Sequence, residues 1–258
     1  MTGSVRSDGC DLHYEELGAG VPILLIHPAG ATASTWGSVA EQLAGIGRVI
    51  AYDRRGYARS SGDARCSLSR HTADAAALLE QLRARPAIVV GTSAGAAIAV
   101  DLAVRRPDLV HAVVAHEFPW RFSRHLPNTS QVAALARIGW LALRGRRSQA
   151  AEVLLRSAYA YGDGGSAWDA FPEEWRQAGR ENAAAALADF RNSVAEYPTR
   201  RALAAVEVPV ICSYGSRSPA GMARLVRLLA AAIPNARTHE LEVPATQHRS
   251  TRRPSSSG

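Results

Sequence analysis

The chain is 258 residues long, 47% hydrophobic and 21% charged, which fits one large globular domain, or one with an insertion, and excludes a mainly disordered chain. No apolar run approaches the ~18–20 residues of a membrane span, and three scattered cysteines (Cys10, Cys66, Cys212) are too few for a disulfide scaffold or a zinc site. The net charge of +7 comes from arginine alone, since the sequence has no lysine, and no nucleic-acid module accompanies it.

Residues 1–10 carry no apolar leader, so the expectation is a cytoplasmic protein with reduced thiols and with neither a nucleic-acid nor a membrane partner. Cys10–Glu16 alternates and is expected to pair antiparallel with the first residues. Short apolar runs bounded by turn residues follow at Val21–Ile26, Arg48–Tyr52, Ala87–Val90, Val110–Ala115 and Val208–Tyr214, with a further strand at Thr238–Val243. Runs of this length suit strands buried on both faces. Helical spacing separates them at Thr35–Ala44, His71–Arg83, Ala94–Val104 and Pro219–Ala232. Strand–helix alternation implies an α/β fold, a doubly wound, mostly parallel sheet.

Between Phe118 and about Arg200 only helical patterns occur: Gln131–Leu143, Ser148–Tyr161, Glu173–Gly179 and Glu181–Ala195. We read residues 118–200 as a helical cap inserted into a core of residues 1–117 and 201–248, with a polar, disordered tail at 249–258. Between Glu117 and Glu152 there is no acidic residue, but six arginines: Arg121, Arg124, Arg137, Arg144, Arg146 and Arg147. They form either a solvated helix face or an attractor for an anionic substrate or partner.

Gly91-Thr92-Ser93-Ala94-Gly95 matches G-x-S-x-G between a predicted strand and a predicted helix, the setting of a nucleophile elbow. A serine on so sharp a turn needs small neighbours two residues away on either side, here Gly91 and Gly95. The helix start beneath it supplies unpaired N–H groups where an oxyanion would develop.

From about residue 10 to 248 the chain resembles the α/β-hydrolase superfamily. His27-Pro28-Ala29-Gly30 is similar to its H-G-x-G loop, and residues 53–60 (DRRGYARS) to its D-x-R-G-x-G-x-S turn, with Ala58 in place of a glycine. Residues 206–210 resemble the re-entry from cap to sheet. The resemblance implies an oxyanion hole from the backbone N–H groups of Ala29 and Ala94. It also implies a general base at His248, in a loop similar to P-G-x-x-H. The acid departs from the pattern. Ser218 occupies the usual place, and no Asp or Glu occurs from Pro209 to Thr238. Glu117, at the end of the strand after the nucleophile helix, is the expected replacement; Asp53, Asp101 and Glu240 are worse placed.

Phe118 and Trp120 follow Glu117 directly and are the expected substrate contacts, with Trp140, Tyr159, Tyr161, Trp168 and Phe171 as further cap aromatics. The implied activity is a serine hydrolase acting on an ester, thioester or lactone of a mainly apolar small molecule, without metal or organic cofactor. Ser93 argues against epoxide hydrolases and haloalkane dehalogenases of the superfamily, which use Asp. Amide or C–C cleavage and acyl transfer stay open, and a non-catalytic binding protein on the same scaffold is the rival.

Overall fold

A computed structural model describes residues 1–63, 65–120, 129–192 and 196–242. Its centre is an eight-stranded sheet: β1 (Thr2–Ser7), β2 (Cys10–Leu17), β3 (Pro22–Ile26), β4 (Arg48–Tyr52), β5 (Ala87–Thr92), β6 (Val110–His116), β7 (Val210–Gly215) and β8 (Ala236–Leu241). The strand order is β1-β2-β4-β3-β5-β6-β7-β8. β1 and β2 form the expected antiparallel pair, β2 joins β4 antiparallel, and every later pairing is parallel.

The central strands are apolar on both faces because helices cover both. Leu24, Ile26, Ile50, Tyr52 and Val89 meet α2 (Leu68–Gln81) and α3 (Ala94–Arg105) in one core cluster. Ile23, Leu25, Val49 and Ala51 point the other way, onto the 3-10 turn Ala33–Trp36 and α1 (Gly37–Leu43). That period of two is the pleat of a doubly covered sheet. α3 is buried from Gly95 to Ala103, and its many alanines allow close approach to the strands. α2 begins three residues earlier than its periodicity predicts, because the Ser67 side chain caps it by accepting from the Arg70 N–H.

Between β6 and β7 the chain forms α4 (Thr129–Leu143), α5 (Arg147–Ala158), α6 (Ala167–Ala170), α7 (Glu173–Glu181) and α8 (Ala183–Asn192). The short α9 (Arg200–Leu203) returns the chain to β7, and α10 (Ala220–Ala230) precedes β8. A buried contact ties this helical insert to the sheet. Asp189 on α8 takes Arg54 Nη2 at 2.6 Å and the Tyr57 hydroxyl at 2.6 Å, both from the loop after β4. Burial opposes the charge on either partner, but Asp189 holds the Arg54 guanidinium protonated, and Arg54 with His71 holds the Asp189 carboxyl below its usual range. Beside it Ala58 donates its N–H to Asn182 Oδ1. Ala58 has φ +42°, the left-handed region that explains the family's glycine at this position.

Candidate active site

Ser93 sits where β5 turns into α3, with φ +52° and ψ −113°. Its own N–H donates to the His116 carbonyl of β6 at 2.8 Å. The flanking glycines are there for space. A Cβ on Gly91 would stand 2.2 Å from the Gly95 carbonyl oxygen, and one on Gly95 would stand 2.1 Å from that of Ile26. Sterics therefore dictate the spacing of the motif, and the strained backbone is affordable only because β5, β6 and α3 hold it from three sides. Among the described residues no side chain hydrogen-bonds the Ser93 hydroxyl.

The loop after β3 lies alongside. Its Pro28 carbonyl accepts from His27 Nδ1 at 2.8 Å, Arg54 Nη2 at 3.2 Å and the Ala31 N–H at 3.4 Å. A trans peptide points its C=O and the following N–H in opposite directions. Anchoring the Pro28 carbonyl therefore turns the Ala29 N–H away from this cluster. His27 Nε2 accepts from the Arg54 N–H at 3.0 Å, so the ring is neutral with its proton on Nδ1. Burial, with the Arg54 cation beside it, holds His27 well below its ordinary value of 6.5. Ala94 is the first residue of α3, where an N–H has no intrahelical acceptor. Neither the Ala29 nor the Ala94 N–H joins a turn or cap hydrogen bond among the described residues.

Glu117 directly follows β6 with φ +52°, its N–H donating to the Ser213 carbonyl at 2.8 Å. Its Oε1 accepts a hydrogen bond from the hydroxyl of Ser218. The carboxylate thus reaches, from the neighbouring strand, the very position that the sequence pattern leaves without an acid. Next to it His116 Nδ1 lies 3.1 Å from Ser213 Oγ, and burial lowers the His116 imidazole while Glu117 opposes that shift. The other carboxylates are engaged elsewhere. Asp53 accepts from the Ala33 N–H and Arg59, Asp101 from Thr72 and Arg105, and Glu240 from the Tyr214 hydroxyl. His248, Arg121, Arg124 and the 249–258 tail lie outside the described residues.

A cavity of about 180 Å³ adjoins this edge. The sheet side gives Pro28, Gly30, Ala31, Thr35, Trp36 and Thr92; the insert gives Tyr159, Trp168, Phe171 and Trp175. Burial, with the Glu117 charge nearby, pushes the Tyr159 phenol up, which relates the carboxylate to this wall. Phe118 and Trp120, the expected substrate contacts, do not line this cavity. Both are buried in the core: Phe118 meets the Tyr197 ring edge-on at 5.0 Å, and Trp120 donates its indole N–H to the Pro198 carbonyl at 2.9 Å. They anchor the start of the insert. Sequence reasoning missed Trp36 and Trp175, which nothing in their local pattern distinguishes from core tryptophans. Among the described residues no cluster of His, Cys, Asp and Glu is arranged to hold a metal ion.

A sequence model described as "Alpha/beta hydrolase family" matches residues 23–254. The chain is 38% identical over 118 residues to a protein of Bacillus subtilis (strain 168) named "Uncharacterized hydrolase YraK", covering 45% of this chain and 44% of that one. It is 37% identical over 129 residues to an epoxide hydrolase of Caballeronia sordidicola, covering 46% and 39%. The matched stretch thus spans less than half the length of either relative. A solved hydrolase from Pseudomonas aeruginosa superposes with a TM-score of 0.72 at 26% identity, covering 93% of this chain and 89% of that chain.

Proposed function

The chain belongs to the α/β-hydrolase family, and from that premise we propose that it is a serine hydrolase cleaving an ester, thioester or lactone of a mainly apolar small molecule. The observation that carries this reading is Ser93 itself. It stands at the head of α3 in a strained turn, beside an aromatic-lined cavity, between two glycines that admit no side chain. The epoxide hydrolase of C. sordidicola is a relative by partial identity, but the superfamily's epoxide hydrolases use an aspartate where this chain has Ser93.

In the proposed reaction Ser93 Oγ attacks the acyl carbon and His248 takes its proton. Negative charge collects on the former carbonyl oxygen, where the Ala29 and Ala94 N–H groups stabilise it. His248 then protonates the leaving group, and water attacks the acyl-enzyme with the same imidazole as base. Glu117 fixes the tautomer of that imidazole and stabilises its cation. The helical insert acts as a cap. A cavity of about 150 Å³ holds benzene, so one ring or a short alkyl chain fits the 180 Å³ space.

Labelling with a fluorophosphonate, read by mass spectrometry, tests the proposal. The adduct is expected on Ser93 in the wild-type chain and absent from Ser93→Ala. A folded wild-type chain that takes no label would favour a binding protein on the same scaffold, and a Ser93→Ala protein labelled equally well would overturn the assignment of Ser93 as the nucleophile.

A further inference from the structure

Helix α4 is apolar yet lies largely in solvent. Val132, Leu135, Trp140 and Leu143 are 51%, 43%, 48% and 91% exposed, and from Val132 to Leu143 only Leu141 is buried. At 3.6 residues per turn these four fall on one side of the helix. The opposite side, with Ala134, Arg137 and Leu141, faces α5 across a groove of about 750 Å³. Exposed apolar residues are ordinary when scattered, but a contiguous helical face of them marks an interaction surface.

The charges around this face are equally unusual. The Arg144 guanidinium lies 4.9 Å from the Trp140 ring, and exposed Arg146 and Arg147 follow in the turn into α5. Among the described residues none of the three is in an ion pair, although Arg48, Arg54, Arg55, Arg105, Arg106 and Arg156 all have carboxylate partners. No acidic residue occurs between Glu117 and Glu152 to neutralise them.

We propose that this face docks on an anionic lipid bilayer. Val132, Leu135, Trp140 and Leu143 enter the boundary of the acyl chains, and Arg144, Arg146 and Arg147 meet the phosphate headgroups. An apolar helical face bordered by unpaired cations is the pattern of a helix lying in the plane of a membrane interface. A second copy of the chain is the poorer occupant, because a two-fold contact through α4 buries the same surface from both copies, and with no acidic residue between Glu117 and Glu152 that surface offers the arginines no carboxylate. The inference amends the sequence-based expectation of no membrane partner. That expectation excluded a spanning helix, and no helix among the described residues is long and apolar enough to cross a membrane, whereas an interfacial helix needs only one apolar face. It stands apart from the proposed hydrolysis, since docking requires neither Ser93 nor His248.

Co-sedimentation of the full chain with vesicles of phosphatidylcholine, alone or mixed with phosphatidylglycerol, at low and high salt, tests the proposal. Binding is expected to the mixed vesicles only, and to weaken at high salt. Changing Arg144, Arg146 and Arg147 together to Gln is expected to weaken it on the order of a hundredfold, at about fivefold per basic residue near an anionic surface. Trp140→Ala with Leu143→Ala is expected to weaken it as well, with an unchanged circular dichroism spectrum. Absent binding at low salt, equal binding to both vesicle types, or undiminished binding by the arginine variant would overturn the proposal. So would a concentration-dependent dimer that the Trp140/Leu143 variant abolishes, which would assign the face to a second copy.

Discussion

Arg54 and Arg144 carry the same charge in opposite surroundings. Arg54 is fully buried, bonded to Asp189 and to the Pro28 carbonyl, and stacked 4.5 Å from the centre of the Tyr57 ring. Arg144 lies in solvent with Trp140 as its neighbour and no carboxylate within reach among the described residues. The first arrangement fixes geometry: it joins the insert to the sheet and orients the peptide whose N–H belongs to Ala29. The second leaves charge and apolar surface available for something else. The proposed chemistry tolerates little displacement and lies at the C-terminal ends of β3, β5 and β6, while the outer helix of the insert is largely exposed. Substitutions in the first region should therefore change rate or stability, and those in the second should change association alone.

The largest effect is expected at Ser93. Ser93→Ala should reduce kcat about 10³-fold or more, leaving the contribution of binding and oxyanion contacts. Its thermal midpoint should match the wild-type value, and steady-state turnover beside a melting curve checks both. Next comes Asp189→Ala, which strands the Arg54 cation in the interior. Breaking a buried pair this way is expected to cost about 3–5 kcal/mol, read by urea denaturation. A loss well below 1 kcal/mol would show that the insert does not depend on this contact.

A smaller effect follows from His27. Its folded-state imidazole titrates well below 6.5, because burial and Arg54 disfavour the cation. Once pH falls below 6.5 the unfolded chain binds a proton that the folded chain refuses, so stability is present above that pH and is lost as pH falls. The expected loss is about 1 kcal/mol between pH 7 and pH 5.5. His116, also lowered, acts in the same direction. Thermal unfolding across that range should show the decline, and His27→Gln should flatten most of it. The smallest effect is a gain: Ala58→Gly relieves a left-handed backbone, partly offset by the greater freedom of glycine in the unfolded chain, and is expected to stabilise by about 0.5 kcal/mol. A destabilised Ala58→Gly would mean that the Ala58 methyl group contributes packing that outweighs the strain.

The same two regions differ in how far the sequence discloses them. β3, β4, β5, β6 and β7 are readable because each is a short, mainly apolar run closed by a turn residue; His111 in β6 and Ser213 in β7 interrupt the apolar pattern without breaking it. The elbow was readable because its glycines are a steric necessity of a local turn. The insert was readable only as helices. Periodicity gives each helix an apolar face without saying what that face meets, so Phe118 and Trp120 looked like pocket residues and are core, while Trp36 and Trp175 joined the cavity unannounced. The Arg54–Asp189 pair spans 135 residues, and no local signal distinguishes Asp189 from a surface aspartate. The reverse holds for Glu117. The resemblance implies it, as an alternative family position for the acid that is missing after β7, and the fold brings its carboxylate to the Ser218 hydroxyl.

In the proposed mechanism a serine hydrolase operates with its acid moved from the loop after β7 to the end of β6. The most direct test is to move it back, by measuring kcat for the wild type, Glu117→Gln and Glu117→Gln with Ser218→Asp. Glu117→Gln keeps the shape of the side chain but cannot stabilise an imidazolium, and should lower kcat by up to ~10⁴-fold. Ser218→Asp in that background restores a carboxylate at the same place and should recover at least about tenfold of the loss. A Glu117→Gln enzyme that turns over at the wild-type rate would contradict a catalytic acid at Glu117.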